Sequence, residues 1–401
     1  MSLYDKASLI QIPSGYKGGK LYSVVPNDGV GDFTFSRGSA ATRINEQGLI
    51  ETMGSTEPRL NWDDSCPHLL LEPLRTNKTP YSEDFSSWGD VGVTITPNAI
   101  VSPDGTLNAS KFVSTANNWR KSSSFSGSAG TTYTVSIYAK LDTSTSTTVT
   151  ALEVYTGVVS KSALYNLSTE TVVSSTLTNP FIEPLENDWY RIGGTYIAGG
   201  TNQILYVYPS AGYGIAGTMY FWGAQQEAGI YASSYIKTIG LSVTRSIDKC
   251  LSAGDSSLFN DSEGTLFVDW KGFQAGVIDR RISLSDTSNN VVSLDLSSVS
   301  DRIKGSIYDG TNLRNFLSYG HTHTNRNKIA IRYKSGDSKM FVNGAEVAST
   351  TGTFSLSGLS TLSFSSRNQV AQFFEGEVYQ TMVFNEALSD SELQLLTSFS
   401  S

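Results

Sequence analysis

The chain has 401 residues, a length that predicts two or three domains, each with a core of its own. Its formal net charge is -8 at pH 7 and only 16% of its residues are charged, which argues against the clustered lysine and arginine of a nucleic-acid-binding groove. Abundant serine and threonine, 36 glycines and 20 tyrosines favour an all-β protein.

The N-terminal residues, Met1 to Lys6, lack the basic segment and apolar core of a secretory signal, and no stretch approaches 18 apolar residues. We therefore expect that the protein does not insert into a membrane. We also expect that it is assembled in a host cytoplasm. Cys66 and Cys250 are the only cysteines, so the fold cannot rest on a disulfide framework, and a bond between them is not expected.

Turn signals punctuate the first 80 residues, among them Pro26-Asn27-Asp28-Gly29. Residues 32–45 and 48–51 are predicted to pair across a turn. The leucine-rich run at residues 68–74 has two interpretations of nearly equal weight. It is either an internal strand of a small N-terminal unit or a surface that packs against another domain or subunit.

A specific order of motifs spans residues 30–90, namely FSRGSAATRIN, GLIE, PRL, CPHLLLEPLRTN and YSEDFSSW. This order resembles a module found in many bacteriophage structural proteins, particularly tail-fibre, head-fibre and other virion surface proteins. The resemblance implies that residues 1–80 are a virion-attachment and oligomerisation region with other virion proteins as partners. Since fibre proteins typically close their stems as trimers, it also implies a homotrimer on the virion surface.

Residues 81–240 are predicted to form a second domain of alternating strands. The clearest strand covers residues 133–140, with Tyr133, Val135, Ile137 and Ala139 on one face. Further strands are expected at residues 189–196, 203–208 and 219–225, and this regular spacing is typical of a sandwich or jelly roll. The bordering segments SEDFSSW and GAQQE resemble the borders of jelly-roll carbohydrate-binding modules.

Residues 241–401 are predicted to form a third domain. Residues 339–344 end in Asn343-Gly344, which favours a type I′ hairpin turn, and Ser389 with Glu392 forms a capping box for one short C-terminal helix. This order resembles the end of a laminin G-like or concanavalin A-like domain, a two-sheet sandwich. The expected fold is all-β, with an N-terminal attachment region followed by two antiparallel β-sandwiches, a jelly roll and then a concanavalin A-like domain.

Aromatic side chains are the main candidates for sugar binding, because the CH face of a pyranose stacks on a ring while its hydroxyls bond to polar neighbours. Trp189 and Trp222 lie in apolar strand patterns and are predicted to be core residues. For the other aromatic residues, the alternative to sugar binding is burial in a core, or exposure without any ligand, since single exposed aromatic side chains are common. The candidate sugar-binding residues are Trp119, Arg120, Tyr155, Tyr208 and Tyr213.

Metal binding is less strongly indicated. His321 and His323 alternate, so two imidazoles could converge from a strand, but no third ligand is indicated and a polar hairpin tip is the alternative. The family resemblances imply that a structural calcium is possible, although no spacing defines its cage, and no other cofactor is expected. The oxygen atoms for calcium would come from Asp84, Asp104 and Asn108, or from Asp286 and Asp309.

No catalytic motif is present, and three histidines leave few bases for a Ser-His-Asp triad. Glu375 and Glu377 share one face of a predicted strand, but nothing fixes the facing carboxylate pair that a glycosidase needs. We therefore expect a non-enzymatic fibre or capsid-decorating adhesin that binds host or environmental glycans multivalently. The alternatives are a polysaccharide depolymerase that uses the concanavalin-like groove and a purely architectural virion protein.

Overall fold

A computed structural model describes residues 2–62, 66–121, 124–211, 215–273, 279–298, 302–322 and 324–399, apart from the side chains of residues 90, 116–121 and 319. It contains 52% strand and 5% helix, which confirms the predicted all-β class. Neither helix of the described chain has the length and apolar character needed to cross a membrane.

The first part of the chain contains β1 (Ala7–Gln11), β2 (Tyr16–Lys17), β3 (Lys20–Leu21), β4 (Phe33–Ser36), β5 (Ala41–Ile44), β6 (Ile50–Met53), β7 (Arg59–Asn61), β8 (His68–Leu71) and β9 (Arg75–Asn77). The middle contains β10 (Asp90–Val101), β11 (Leu107–Lys121), β12 (Phe125–Ser126), β13 (Thr132–Leu141), β14 (Val149–Tyr155), β15 (Ser160–Asn166), β16 (Thr171–Ser175), β17 (Thr178–Pro184), β18 (Tyr190–Ile197), β19 (Asn202–Tyr208) and β20 (Gly217–Ala228). The last part contains β21 (Val243–Arg245), β22 (Lys249–Leu251), β23 (Glu263–Gly272), β24 (Arg280–Ser285), β25 (Asn290–Leu296), β26 (Arg302–Asp309), β27 (Leu313–Tyr319), β28 (Arg326–Lys334), β29 (Ser338–Val342), β30 (Ala345–Thr350), β31 (Thr361–Ser363) and β32 (Gly376–Phe384). The helices are α1 (Leu3–Lys6) and α2 (Asp390–Thr397), and single 3₁₀ turns occupy Phe85–Ser87 and Glu186–Asp188.

The chain divides into two compact units, and neither is continuous in sequence. The first unit comprises Met1–Ala40, Met53–Pro73 and Ser246–Ser401, and the second comprises Ala41–Thr52 and Leu74–Arg245. Residues 1–80 therefore do not form a unit of their own in this structure. Their strands β1, β7 and β8 join a sheet of the first unit, whereas β9 pairs with β21 in the second unit. Short strands must pair to satisfy their backbone groups, and the turn signals along the sequence do not identify those distant partners.

The first unit is a β-sandwich. Its eight-stranded sheet has the order β30-β29-β28-β23-β32-β8-β7, with β1 also paired to β32, and its five-stranded sheet has the order β27-β26-β25-β24-β31. Leu266 and Val268 of the larger sheet share one apolar core with Leu284, Leu294 and Ile307 of the smaller sheet. The two sheets therefore bury their facing sides against each other, as the predicted antiparallel sandwich requires.

Two local predictions are confirmed at the C-terminal end. The turn between β29 and β30 has positive φ at both Asn343 (50°) and Gly344 (86°), as a type I′ turn demands. Ser389 caps α2, and Glu392 completes the capping box. Leu393 then packs α2 against a small apolar cluster on the outer face of the larger sheet, which includes Phe341.

The main sheet of the second unit has eleven strands, most of them on the path β16-β15-β14-β19-β11-β20-β13-β18-β17. The predicted strand at residues 133–140 is confirmed as β13. Its residues Tyr133, Val135, Ile137 and Ala139 lie in the main core. Trp189 and Trp222 are each 1% exposed and belong to a second apolar cluster, so their prediction as core residues is also confirmed.

The leucine-rich run forms β8, and all four of its residues are buried. Leu69 and Leu71 lie in the core of the first unit, while β8 pairs with β7 on one side and β32 on the other. β8 is therefore an internal strand, but its sheet includes β32 of the predicted third domain, so the run joins another predicted domain and does not complete a small N-terminal unit.

A buried ionic cluster in the first unit joins several of the motifs between residues 30 and 90. Arg59 pairs with both Glu72 and Asp248, and Arg37 Nη1 lies 2.9 Å from Asp248 Oδ1. None of the four side chains is more than 2% exposed, which makes each charge dependent on its partners. Arg37 also donates to the carbonyl of Gly54 at 2.7 Å. The motif order thus contains residues that hold the fold together.

Candidate carbohydrate-binding surface

Neighbouring strands β14 and β19 place polar and aromatic residues on one face of the second unit. In their antiparallel register Glu153 is opposite Tyr206, and Tyr155 is opposite Ile204. The alternate residues, among them Leu152 and Val207, lie in the main core. Because side chains alternate along a strand, the other set points away from that core. We call this set, Glu153, Tyr155, Tyr206 and Tyr208, the tyrosine face.

The tyrosine face is held by a direct hydrogen bond. The Tyr208 hydroxyl donates to Glu153 Oε2 at 2.6 Å, and Tyr208 is 6% exposed. Partial burial, the Glu153 charge and Tyr155 all raise the pKa of Tyr206 above its usual value, so this phenol stays protonated at neutral pH. Glu153, Tyr155 and Tyr206 are half-buried, which fixes their positions while leaving part of each side chain accessible.

This arrangement matches the chemistry of sugar recognition. Tyrosine rings offer flat apolar surfaces to the CH groups of a pyranose, and their hydroxyls can donate or accept hydrogen bonds. The Glu153 carboxylate offers acceptor oxygens to sugar hydroxyls. A shallow face of this kind binds through a few such contacts at once.

The structure brings together Tyr155 and Tyr208 of the predicted sugar-binding residues. Trp119 and Arg120 lie in β11, which neighbours β19, with the backbone of Arg120 paired to that of Val207. The side chains of both residues are outside the described part of the chain, and Tyr213 is outside the described residues altogether.

Glu153 and Tyr206 are the residues of this face that the sequence argument missed. A usable signal was present, because Glu153 precedes Tyr155 by two residues and Tyr206 precedes Tyr208 by two. Period-two spacing places each pair on a common strand face. The sequence did not predict that β14 lies beside β19. This strand pairing brings Glu153 and Tyr155 together with Tyr206 and Tyr208 in one surface.

One of the two predicted metal-binding histidines has a protein partner. His321 Nδ1 is hydrogen-bonded to the Ser318 hydroxyl, and His323 is outside the described residues. Burial opposes the charge of Asp104, but hydrogen bonds from Ser102 and Thr106 outweigh it and lower its pKa. Among the residues that the structure describes, no group of three His, Cys, Asp or Glu side chains is placed to hold a metal ion.

The other proposed calcium ligands are likewise engaged within their own turns. Asp84 accepts from Ser86 and Ser87, Asp286 from Ser288 and Asn290, and Asp309 from Thr311 and Asn312. Asn108 donates to Asp104 at 3.2 Å. These contacts give each carboxylate a structural role, and a bound calcium stays a prediction.

Glu375 and Glu377 each form an ion pair. Glu375 lies 2.8 Å from Arg280 Nη2, and Glu377 lies 3.1 Å from Lys271 Nζ while accepting a hydrogen bond from Tyr379 at 2.8 Å. Both carboxylates are therefore engaged with neighbouring side chains of the fold.

The two cysteines are free thiols. Burial raises the pKa of the Cys250 thiol well above its ordinary value, and the Asp248 charge adds to this effect. Cys66 is half-buried, with its sulfur 3.8 Å from Arg326 Nη1.

Comparisons with known proteins give partial structural likeness. No family profile matches the sequence, and no curated protein resembles it significantly. The carbohydrate-binding module (CBM40) of a Ruminococcus gnavus IT-sialidase, bound to α2,3-sialyllactose, is 16% identical with a TM-score of 0.32, covering 37% of this chain and 94% of that one. The Streptococcus pneumoniae NanB sialidase is 18% identical with a TM-score of 0.31, covering 36% of this chain and 25% of that one. A Limulus polyphemus SAP-like pentraxin is 14% identical with a TM-score of 0.28, covering 33% of this chain and 68% of that one.

Proposed function

We propose that the protein is a carbohydrate-binding adhesin that acts without hydrolysing its ligand. The tyrosine face is the observation that supports this proposal, because it combines three tyrosines with a carboxylate fixed by the 2.6 Å contact from Tyr208 to Glu153. A single shallow face of this kind binds a sugar weakly. Several copies on one scaffold raise the apparent affinity by effective concentration, without any new contact.

The scaffold in this proposal is a bacteriophage particle, on which the protein serves as a fibre or capsid-decorating component with virion proteins as its partners. Support comes from the motif order between residues 30 and 90, and the copy number of the proposed assembly is three. A reconstruction of the intact particle tests this part through the position and symmetry of the protein. Its absence from purified particles would refute the virion role and leave the sugar-binding proposal standing.

Replacing Tyr206 by alanine tests the tyrosine face directly. Loss of a central aromatic contact typically costs more than about 1 kcal/mol, so we expect binding of a glycan identified on an array to weaken roughly tenfold. Tyr190→Ala is the matched control, because Tyr190 is also half-buried and also lies beside a glutamate, with its hydroxyl 3.2 Å from Glu170 Oε1. Equal affinities for the two variants in titration calorimetry would show that the tyrosine face is not the binding site.

The depolymerase alternative makes a different prediction. It requires the release of reducing ends from a host polysaccharide, and Glu377→Gln would abolish that release. We expect no release from either form, because Glu377 is neutralised by Lys271 at 3.1 Å. The architectural alternative would be favoured if both sandwiches were covered by neighbouring subunits in the particle.

A further inference from the structure

The turn between β29 and β30 contains the only Asn-Gly dipeptide of the chain, Asn343-Gly344. Asparagine followed by glycine is prone to spontaneous deamidation, because glycine has no side chain to shield its backbone nitrogen from the preceding carboxamide. Asn343 is exposed, so water can reach the site. The contacts that hold these two residues therefore decide whether the pair reacts.

Helix α2 holds the backbone nitrogen that would act as the nucleophile. The N–H of Gly344 donates to the Thr397 hydroxyl in the last turn of α2 at 3.0 Å. Thr397 is fully buried, and its hydroxyl donates in turn to the carbonyl of Leu393 at 2.8 Å. To attack a carboxamide, the Gly344 nitrogen must give up its proton and leave this hydrogen bond. The docked position of α2 therefore opposes the reaction.

The carboxamide of Asn343 is held from two sides. Its oxygen accepts from the backbone N–H of Lys328 at 2.9 Å, and its nitrogen donates to the Asn327 side chain at 3.0 Å. Asn327 is buried, and its own amide donates to the carbonyls of Thr322 and Asn325, at 3.1 and 2.7 Å. These contacts fix the orientation of both amides.

Contacts along α2 determine how often this arrangement opens. Leu393 packs in the apolar cluster on the outer face of the larger sheet, and Glu392 accepts from Lys6 at 2.6 Å. At the other end of the helix, Lys328 Nζ donates to the carbonyl of Ser398 at 3.1 Å. Release of α2 must break these contacts together, which makes it a local unfolding event.

We propose that Asn343 is a modification site whose deamidation is controlled by the docking of α2. When α2 is released, the Gly344 nitrogen forms a bond to Cγ of Asn343, and the bond from Cγ to Nδ2 breaks. The amide proton of Gly344 leaves with Nδ2 as ammonia, and the product is a cyclic imide. Water then adds across one of the two imide C–N bonds, which gives aspartate or isoaspartate. This site lies in the first unit and does not depend on sugar binding by the tyrosine face.

The product does not fit the turn from which it forms. In aspartate an oxygen replaces the nitrogen that donated to Asn327, so two acceptors face each other. Asn327 cannot flip its amide without losing both of its own donor contacts. The new charge also attracts the Lys328 ammonium group, which competes with its contact to Ser398 at the end of α2. We therefore expect the modification to be irreversible and to weaken the docking of α2.

Thr397→Val tests the control by α2, because it removes the hydroxyl that accepts from Gly344 while keeping the shape of the side chain. Loss of one such hydrogen bond predicts that Asn343 deamidates roughly fivefold faster at mildly alkaline pH. Gln394→Ala is the matched control on the same helix, since Gln394 is exposed and its deamidation rate should equal that of the wild type. The rates are measured on the intact protein by mass spectrometry of the peptide that contains Asn343, with isoaspartate detected by enzymatic methylation.

Two further variants test the same inference independently. Leu393→Ala removes a fully buried contact of α2 and should accelerate deamidation more than Thr397→Val does. Asn343→Asp supplies the product directly and should lower Tm, whereas an unchanged Tm would refute the misfit. Equal deamidation rates of Thr397→Val and Gln394→Ala would overturn the control by α2. The same conclusion would follow if the folded wild type reacted as fast as the urea-unfolded chain, or if Asn343 stayed intact in every variant.

Discussion

Arg59 should be among the most sensitive positions of the first unit. Its guanidinium is fully buried and pairs with Glu72 and Asp248, whose charges raise its pKa although burial opposes them. Arg59→Met would leave two carboxylates sharing the single positive charge of Arg37. Removing one partner of a buried ion pair typically costs about 3–5 kcal/mol. For a domain of this size that corresponds to a drop in Tm of roughly 6–20 °C in scanning calorimetry.

Two further variants make this reasoning refutable. Lys334→Met removes a largely exposed charge in the same unit, whose partner Glu263 lies 2.8 Å away, and should cost no more than about 1 kcal/mol. The double variant Arg59→Met, Glu72→Met restores charge balance and should recover part of the lost stability. If Arg59→Met were as mild as Lys334→Met, or if the double variant were the sum of its parts, the cluster would not be a coupled buried network.

Three other measurements follow from the structure. Lys6 and Ser389 lower the pKa of Glu392 to about 2. The stability difference between wild type and Glu392→Gln in urea unfolding should therefore be complete above pH ~4.5 and should vanish as the pH falls through ~2. A stability difference that is independent of pH would contradict this. Gly193→Ala should destabilise the second unit by about 1–3 kcal/mol, because the new Cβ would lie 2.3 Å from a carbonyl oxygen of β13, and an unchanged Tm would refute that close approach. A thiol reagent should label Cys66 in the native protein and reach buried Cys250 only after unfolding, whereas rapid labelling of both would show that Cys250 is accessible.

Local signals in the sequence predicted much of the secondary structure. The alternation of residues 133–140 identified β13 and its core face, and Asn343-Gly344 identified the turn between β29 and β30. Ser389 and Glu392 identified the start of α2. Each of these features depends on residues within a few positions of one another, so the sequence alone contains the physical information that specifies them.

The candidate sites were only partly predictable for the opposite reason. Tyr155 and Tyr208 were recognised as separate aromatics, but their common surface depends on the pairing of β14 with β19. The row of opposed polar residues across the five-stranded sheet was missed entirely, because single serines such as Ser293 and Ser306 carry no distinctive signal. They become a row only when β25 and β26 pair in register.

By itself, then, the sequence determined an all-β chain with negative net charge, its main strands and its capped final helix, since composition and short-range periodicity govern those properties. Tertiary structure alone decided that residues 1–80 are divided between two units and that Arg37, Arg59, Glu72 and Asp248 meet in one buried cluster. Asp248 lies 176 residues beyond Glu72, yet its side chain accepts a hydrogen bond from the Glu72 backbone at 2.8 Å. The physical reason is that strand pairing and charge burial join residues distant in sequence, and the gain in free energy exists only once the complete sheet has formed.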